Sequence, residues 1–200
     1  MDNYQALHQF IEQFISLTGE EFAQLKKRSS VVHVRKKDVI TSAGETENYL
    51  YYVARGLVRE YFFKAGEAVT SQVIAEGTVF GSVSSFLTGT PSHFCLEAME
   101  PCSLVTIQKG QLEELYRSSP RWEKFGRILT THFVLRQERE VMLRYRLAPR
   151  ERFIRFVEEN PQLLQRVPQK YLASLLQIKP ETFSRMKHLL YRSPRKMNGA

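Results

Sequence analysis

The sequence predicts an α+β chain: an N-terminal antiparallel β jelly-roll barrel, then one long helix, then a C-terminal helix-turn-helix. Three observations predict it. Between Val31 and Gln108, short runs of Val, Ile, Tyr, Phe and Thr alternate with turn signals. From Pro120 to Leu147 there is no internal proline and a single glycine, Gly126. From Val167 to Leu190, apolar residues recur at helical spacing on both sides of a short break. The corresponding division is residues 1–118, 119–147 and 148–200.

The elements follow in order. Leu7, Phe10, Ile11 and Phe14 mark a first helix. Thr18-Gly19-Glu20-Glu21 places a hydroxyl three residues before a carboxylate, the pattern of a capping box, and predicts a second helix burying Phe22 and Leu25. Predicted strands are Val31–Val34, Val39–Thr41, Tyr49–Val53, Leu57–Phe63, Val69–Ile74, Phe94–Ala98 and Ser103–Ile107. Turn residues such as Arg55-Gly56, Ala65-Gly66 and Glu76-Gly77 separate several of them. Short strands at this spacing imply an antiparallel sandwich or barrel.

The long helix carries Phe125, Ile128, His132, Leu135, Arg139 and Met142 at alternating spacings of three and four. That is a heptad-like seam over about 40 Å, and it predicts a homodimer interface. The alternative is a long helix packing on its own barrel. Beyond it, Phe153, Ile154, Phe156 and Val157 mark a helix ended by Asn160-Pro161. Tyr171, Leu172, Leu175 and Leu176 mark a second helix, and Pro180 to Leu190 a third.

Charge narrows the function. Residues 1–120 hold 11 Lys/Arg against 14 Asp/Glu, and residues 121–200 hold 18 against 7. The C-terminal part, net +11, is matched to a polyanion, nucleic acid first. A solvated basic surface or a contact with an anionic membrane is the other reading. No apolar stretch approaches the roughly 20 residues that span a bilayer, and the first residues lack the pattern of a signal peptide. With only Cys95 and Cys102, the chain reads as cytoplasmic, with no membrane partner.

The C-terminal segment carries the chemistry. Ala173 is small where two helices must approach, and Ile178 is apolar in the turn. Pro180 suits the first position of a helix, and Glu181 then lies at the positive end of its dipole. Thr182, Ser184, Arg185 and Lys187 fall on the polar side. An exposed Arg there can grip guanine through two hydrogen bonds, which points to duplex DNA.

Barrel, long helix and helix-turn-helix, in that order, resemble the cyclic-AMP receptor protein and fumarate-nitrate regulator (Crp/Fnr) family over roughly Phe10 to Leu190. Glu181-Thr182-Phe183-Ser184-Arg185 resembles the family's Glu-Thr-x-x-Arg recognition core. The resemblance implies a homodimeric transcription regulator, with a barrel of cyclic-nucleotide-binding type. It implies that Glu181 and Arg185 read bases and that Thr182 helps contact the DNA backbone; the basic Lys179, Lys187, Arg192 and Arg195, with Ser184, are expected to meet that backbone too. RNA polymerase would be a partner if the protein activates. Gln177 stands where the cyclic-AMP receptor protein has a turn glycine, so a left-handed backbone there would cost roughly 1–2 kcal/mol.

The family's nucleotide cassette reads Phe-Gly-Glu, a short helix, then Pro-Arg-Ser/Ala. Here it reads Phe80-Gly81-Ser82-Val83-Ser84 through Pro91-Ser92-His93. Gly81, Ser82, Val83, Ser84, Ser92 and His93 are the candidate pocket. With Ser82 for the glutamate and Ser92 for the arginine, the charge-assisted grip on a cyclic phosphate is gone. The pocket is therefore expected not to hold cyclic AMP, leaving an unidentified small-molecule effector or none. An iron–sulfur cluster needs about four cysteines, and the five histidines show no metal-ligand spacing, so no metal is expected. The alternatives are a regulator responsive to a cyclic nucleotide or other small anion, and a cupin-type barrel protein. Cupin chemistry wants a His-x-His pair, and none occurs. No enzymatic activity is expected.

Overall fold

A computed structural model describes residues 2–192. Two short helices lead, α1 (Asn3–Glu12) and α2 (Gly19–Arg28). The predicted capping box starts α2: Thr18 Oγ1 accepts from the Glu21 amide at 3.2 Å, and the Glu21 carboxylate accepts from the Thr18 amide at 2.9 Å. The strands are β1 (Ser29–Val34), β2 (Val39–Thr41), β3 (Tyr49–Arg55), β4 (Val58–Lys64), β5 (Glu67–Ile74), β6 (Val79–Phe80), β7 (Cys95–Ala98) and β8 (Cys102–Gln108). A short helix, α3 (Val83–Thr88), separates β6 from β7. All seven predicted strands are present within two residues at each end. The two-residue β6 was not predicted, because two residues carry no alternation to detect.

The strands form two antiparallel four-stranded sheets, in the orders β1-β8-β3-β6 and β2-β7-β4-β5. Their facing sides share one core. Tyr51, Val53, Phe80 and Leu104 from the first sheet meet Val58, Ile74, Leu96 and Ala98 from the second. The β4–β5 hairpin turns on Ala65 and Gly66, both at positive φ (50° and 83°), as a two-residue turn matching the strand twist requires. Gly56 turns β3 into β4 with φ 101°, and a Cβ there would lie 2.6 Å from Cys102 Sγ. Only glycine satisfies both the dihedral and the space.

Helices cover both outer faces. On the first sheet lie α1, α2, α4 (Lys109–Ser118) and the start of α5 (Pro120–Arg146), through Leu7, Ile11, Leu25, Leu115 and Trp122. The α4 helix was not predicted: Gly110 in its first turn and its brevity hid the spacing of Leu112, Leu115 and Tyr116. Gly126, the one glycine of α5, lets Tyr116 cross closely; a Cβ there would lie 2.5 Å from its hydroxyl.

On the second sheet lie α6 (Pro149–Glu159), α7 (Leu163–Arg166), α8 (Gln169–Leu175) and α9 (Pro180–Arg192). Phe153, Leu163, Val167, Leu172 and Phe183 join Leu57, Met99, Val73 and Ala75 in one cluster. Phe153 and Phe183 meet edge to face at 5.2 Å, a geometry contributing about 0.5–1.5 kcal/mol beyond area burial. Among the described residues, no helix is long and apolar enough to cross a membrane.

Candidate functional site

The turn between α8 and α9 is built by the backbone. The Ile178 amide donates to the Ala173 carbonyl at 3.0 Å, and the Gln177 amide to that of Ser174 at 3.0 Å. This pair of bonds satisfies the last carbonyls of α8 and requires a left-handed residue between them. Gln177 is that residue, at φ 54°. Ala173 is fully buried where the helices approach, and Ile178 packs on the shared cluster.

The turn presents one face of α9 outward. Glu181 and Arg185, one helical turn apart, are both exposed. Among the described residues, neither takes part in an ion pair. Lys179 is exposed, while Thr182, Ser184 and Lys187 are half-buried on the flanks. His188, exposed and seven residues after Glu181, shares the same face. Sequence reasoning passed over it, although its i+7 spacing from Glu181 was the available signal. Arg192 closes α9, but its side chain, like the whole of Arg195, lies outside the described residues.

The cassette is arranged differently. Ser82 is 1% exposed and Ser92 3%. Their hydroxyls lie 2.7 Å apart, and Ser92 Oγ lies 2.8 Å from the Phe94 carbonyl and 3.0 Å from the Phe94 amide. Each hydroxyl has one hydrogen. Ser92 donating to the Phe94 carbonyl, and Ser82 donating to Ser92, uses both. The backbone of Ser92 is tied in turn to Gly44 and Glu45, each at 2.8 Å.

Beside it, buried Ser85 accepts from the Glu47 amide at 2.9 Å. The Glu47 carboxylate accepts from Thr41 Oγ1 at 2.6 Å, the Tyr49 amide at 3.0 Å and the Tyr51 hydroxyl at 3.2 Å. Burial, with Glu47 next in weight, pushes the Tyr51 hydroxyl well above its ordinary pKa. Of the remaining pocket candidates, Gly81 is buried, Val83 half-buried, and Ser84 and His93 face solvent. Of the six candidates, Ser82 and Ser92 are the two that bond each other.

A second polar cluster, not foreseen, joins the sheet to the C-terminal helices. Arg59, 4% exposed, has its guanidinium between two rings, 4.0 Å from Tyr61 on its own strand and 4.1 Å from Tyr171 on α8. Ser174 of α8 accepts from the Thr70 amide of β5 at 2.9 Å. Arg166 donates to both Glu76, at 2.7 Å, and Glu100. Burial alone would raise Glu76, but the hydrogen bond from Arg166 and those from backbone amides hold it below the usual carboxylate range. Glu60, the neighbour of Arg59, accepts from Ser71 Oγ at 2.7 Å; its burial pushes the carboxyl up against that bond and the nearby Arg136.

The seam expected on α5 divides in two. Phe125 and Ile128 belong to the cluster under α1, and Phe125 meets Trp122, Phe10 and Phe14. They are thus engaged in part within the chain. His132 packs edge-on against Phe14 at 5.1 Å, and Arg139 reaches Glu159 at 3.8 Å. Leu135 and Met142 are exposed, and so are Val134, Val141 and Tyr145, the last by 86%. Val134, Glu138, Val141 and Tyr145 recur at four, three and four residues, so the uncovered apolar stripe is rotated from the expected one. Both cysteines are free and buried, and burial pushes the Cys102 thiol up to about 11. Among the described residues, no group of three His, Cys, Asp or Glu could hold a metal.

The sequence profile of the cyclic nucleotide-binding domain matches residues 31–119. Residues 31–119 are thus similar to a cyclic nucleotide-binding domain, and the chain as a whole shares its fold with the following solved structures. FixK2 from Bradyrhizobium japonicum superposes with a TM-score of 0.72 at 21% identity, over 86% of this chain and 89% of that one. The c-di-GMP responsive global regulator CLP from Xanthomonas campestris gives 0.70 at 18% identity, over 91% and 96%. The catabolite activator protein of Thermus thermophilus gives 0.56 at 22% identity, over 94% and 90%. No curated protein sequence matches the chain. The matched stretch runs from within β1 to the end of α4 and includes the segment whose two serines bond each other.

Proposed function

We propose that the chain is a homodimeric, sequence-specific DNA-binding transcription regulator of Crp/Fnr type, and not an enzyme. The observation that carries this reading is the outward face of α9. It presents Glu181, Arg185 and His188 from a helix held in place by the Schellman-type turn at Gln177. The α8–turn–α9 unit is read as the helix-turn-helix. Arg185 offers a fork of donors to the O6 and N7 of guanine, and Glu181 accepts from the amino group of cytosine. Lys179 and Lys187, flanked by Thr182 and Ser184, meet phosphates and fix register. The net charge of +11 in residues 121–200 supports association with a polyanion.

The dimer is assigned to the stripe Val134, Leu135, Val141, Met142 and Tyr145 on α5. Two copies related by a twofold axis would place their α9 helices in successive major grooves, about one helical turn apart. The Ser82–Ser92 pair argues against cyclic AMP as effector, and against the reading in which this cassette senses a small anion.

The test is selection of bound duplexes from a random pool by the purified full chain. A recovered motif with twofold symmetry supports the reading. No enrichment at low salt overturns it.

A further inference from the structure

Between α5, α3 and β6 lies an open groove of about 620 Å³. Phe80, Val83, Phe86, Leu129 and Phe133 form much of its wall. Its volume falls in the range of small-molecule sites, which are mostly apolar with a few placed polar groups. Neither Ser82 nor Ser92 lines it, so it lies beside the cassette and not within it. Leu87, on its rim, is 62% exposed.

The charges at its edge are unequal. Lys109, Arg136 and Arg139 line it against one lining carboxylate, Glu113, and Arg139 also reaches Glu159 at 3.8 Å, which leaves one cation in excess. Lys109 is fixed: its ammonium donates to the Phe86 and Leu87 carbonyls at 2.6 and 3.2 Å. An ammonium has three hydrogens, so one remains for a ligand. Arg136 uses one nitrogen on Gln72, at 2.8 Å.

We propose that this groove binds an amphipathic carboxylic acid, its tail along the aromatic wall and its carboxylate on the cationic edge. An apolar tail matches the wall, and a single negative charge matches the one surplus cation. The proposal stands apart from DNA binding.

Trp122, the only tryptophan, lines an adjoining apolar recess that shares Leu50, Val79, Leu112 and Leu129 with the groove. It reports on anything entering there. Dodecanoate and dodecanol are the probes, titrated into the full chain by calorimetry and Trp122 fluorescence. Saturable dodecanoate binding is expected, about tenfold tighter than dodecanol for one charge-assisted contact. Lys109→Met should remove that preference. Should Lys109→Met disturb α3, Arg139→Gln, on an exposed side chain, should still narrow it. Thr130→Phe, which narrows the groove, should weaken both probes. No saturable binding, equal affinity for both probes, or indifference to Thr130→Phe overturns the proposal. So does release of monomers by dodecanoate in light scattering, which would make a second copy of the chain the occupant.

Discussion

In the cassette, Ser82 and Ser92 are buried and bonded to each other; on α9, Glu181 and Arg185 are exposed and, among the described residues, in no ion pair. Both regions lie in segments resembling binding motifs of the Crp/Fnr family, yet their polar groups point to opposite uses. The Ser92 hydroxyl, whose hydrogen and lone pairs are engaged inside the chain, can serve a ligand only by giving up those bonds. An exposed guanidinium and carboxylate keep their capacity for a partner. The comparison teaches that a motif's position in the sequence locates a site, and that hydrogen-bond satisfaction decides whether it is open.

The largest effect is expected at the stripe that would bring two open faces together. Val134→Asp combined with Val141→Asp should give monomers by light scattering. It should also weaken binding to a two-half-site duplex by about 10²–10⁴-fold, the usual gain from coupling two sites. Phe125→Asp should instead lower folding stability, because Phe125 packs under α1.

On α9, Arg185→Ala should cost about 1–3 kcal/mol on the selected duplex and little on a scrambled one. Titrations of both duplexes at two salt concentrations check this. Equal losses would make Arg185 a phosphate contact.

In the cassette, Ser92→Ala removes the acceptor for the Phe94 amide and a partner of Ser82. Urea unfolding should record a loss of about 1–2 kcal/mol, against less than about 0.5 kcal/mol for exposed Ser84→Ala. Equal effects would mean that the Ser82–Ser92 pair does not close the cassette.

The smallest effect is at the turn. Gln177→Gly should relieve the left-handed strain and stabilise by about 0.5–1 kcal/mol, since glycine's greater freedom in the unfolded chain offsets part of the gain. Thermal unfolding measures it, and a loss of stability would contradict the strain.

Much of this was legible in the sequence because local rules acted alone. The Thr18–Glu21 capping box, the strand runs and the helix starting at Pro180 each follow from neighbouring residues. The resemblance put Gln177 at a turn where a left-handed backbone would carry a cost, and its φ is 54°. What stayed hidden was set by tertiary contacts. Phe125 and Ile128 fit a seam by spacing, but α1 covers them. Val134, Val141 and Tyr145 repeat with the same spacings of three and four in another register, so spacing alone could not say which face the chain itself covers. The stacking of Arg59 between Tyr61 and Tyr171 joins residues more than a hundred positions apart, which no periodicity could reveal. The serines at 82 and 92 signalled a missing charge; that they bond to each other required the fold.

The central claim is that the proposed DNA-reading face of α9 is open while the segment resembling a nucleotide cassette is closed. Fluorescence anisotropy of the full wild-type chain on the selected duplex, with and without saturating cyclic AMP, tests both halves together. The account predicts tight, salt-dependent binding that cyclic AMP leaves unchanged, and much weaker binding to a scrambled duplex. Binding that appears only when cyclic AMP is added would contradict it.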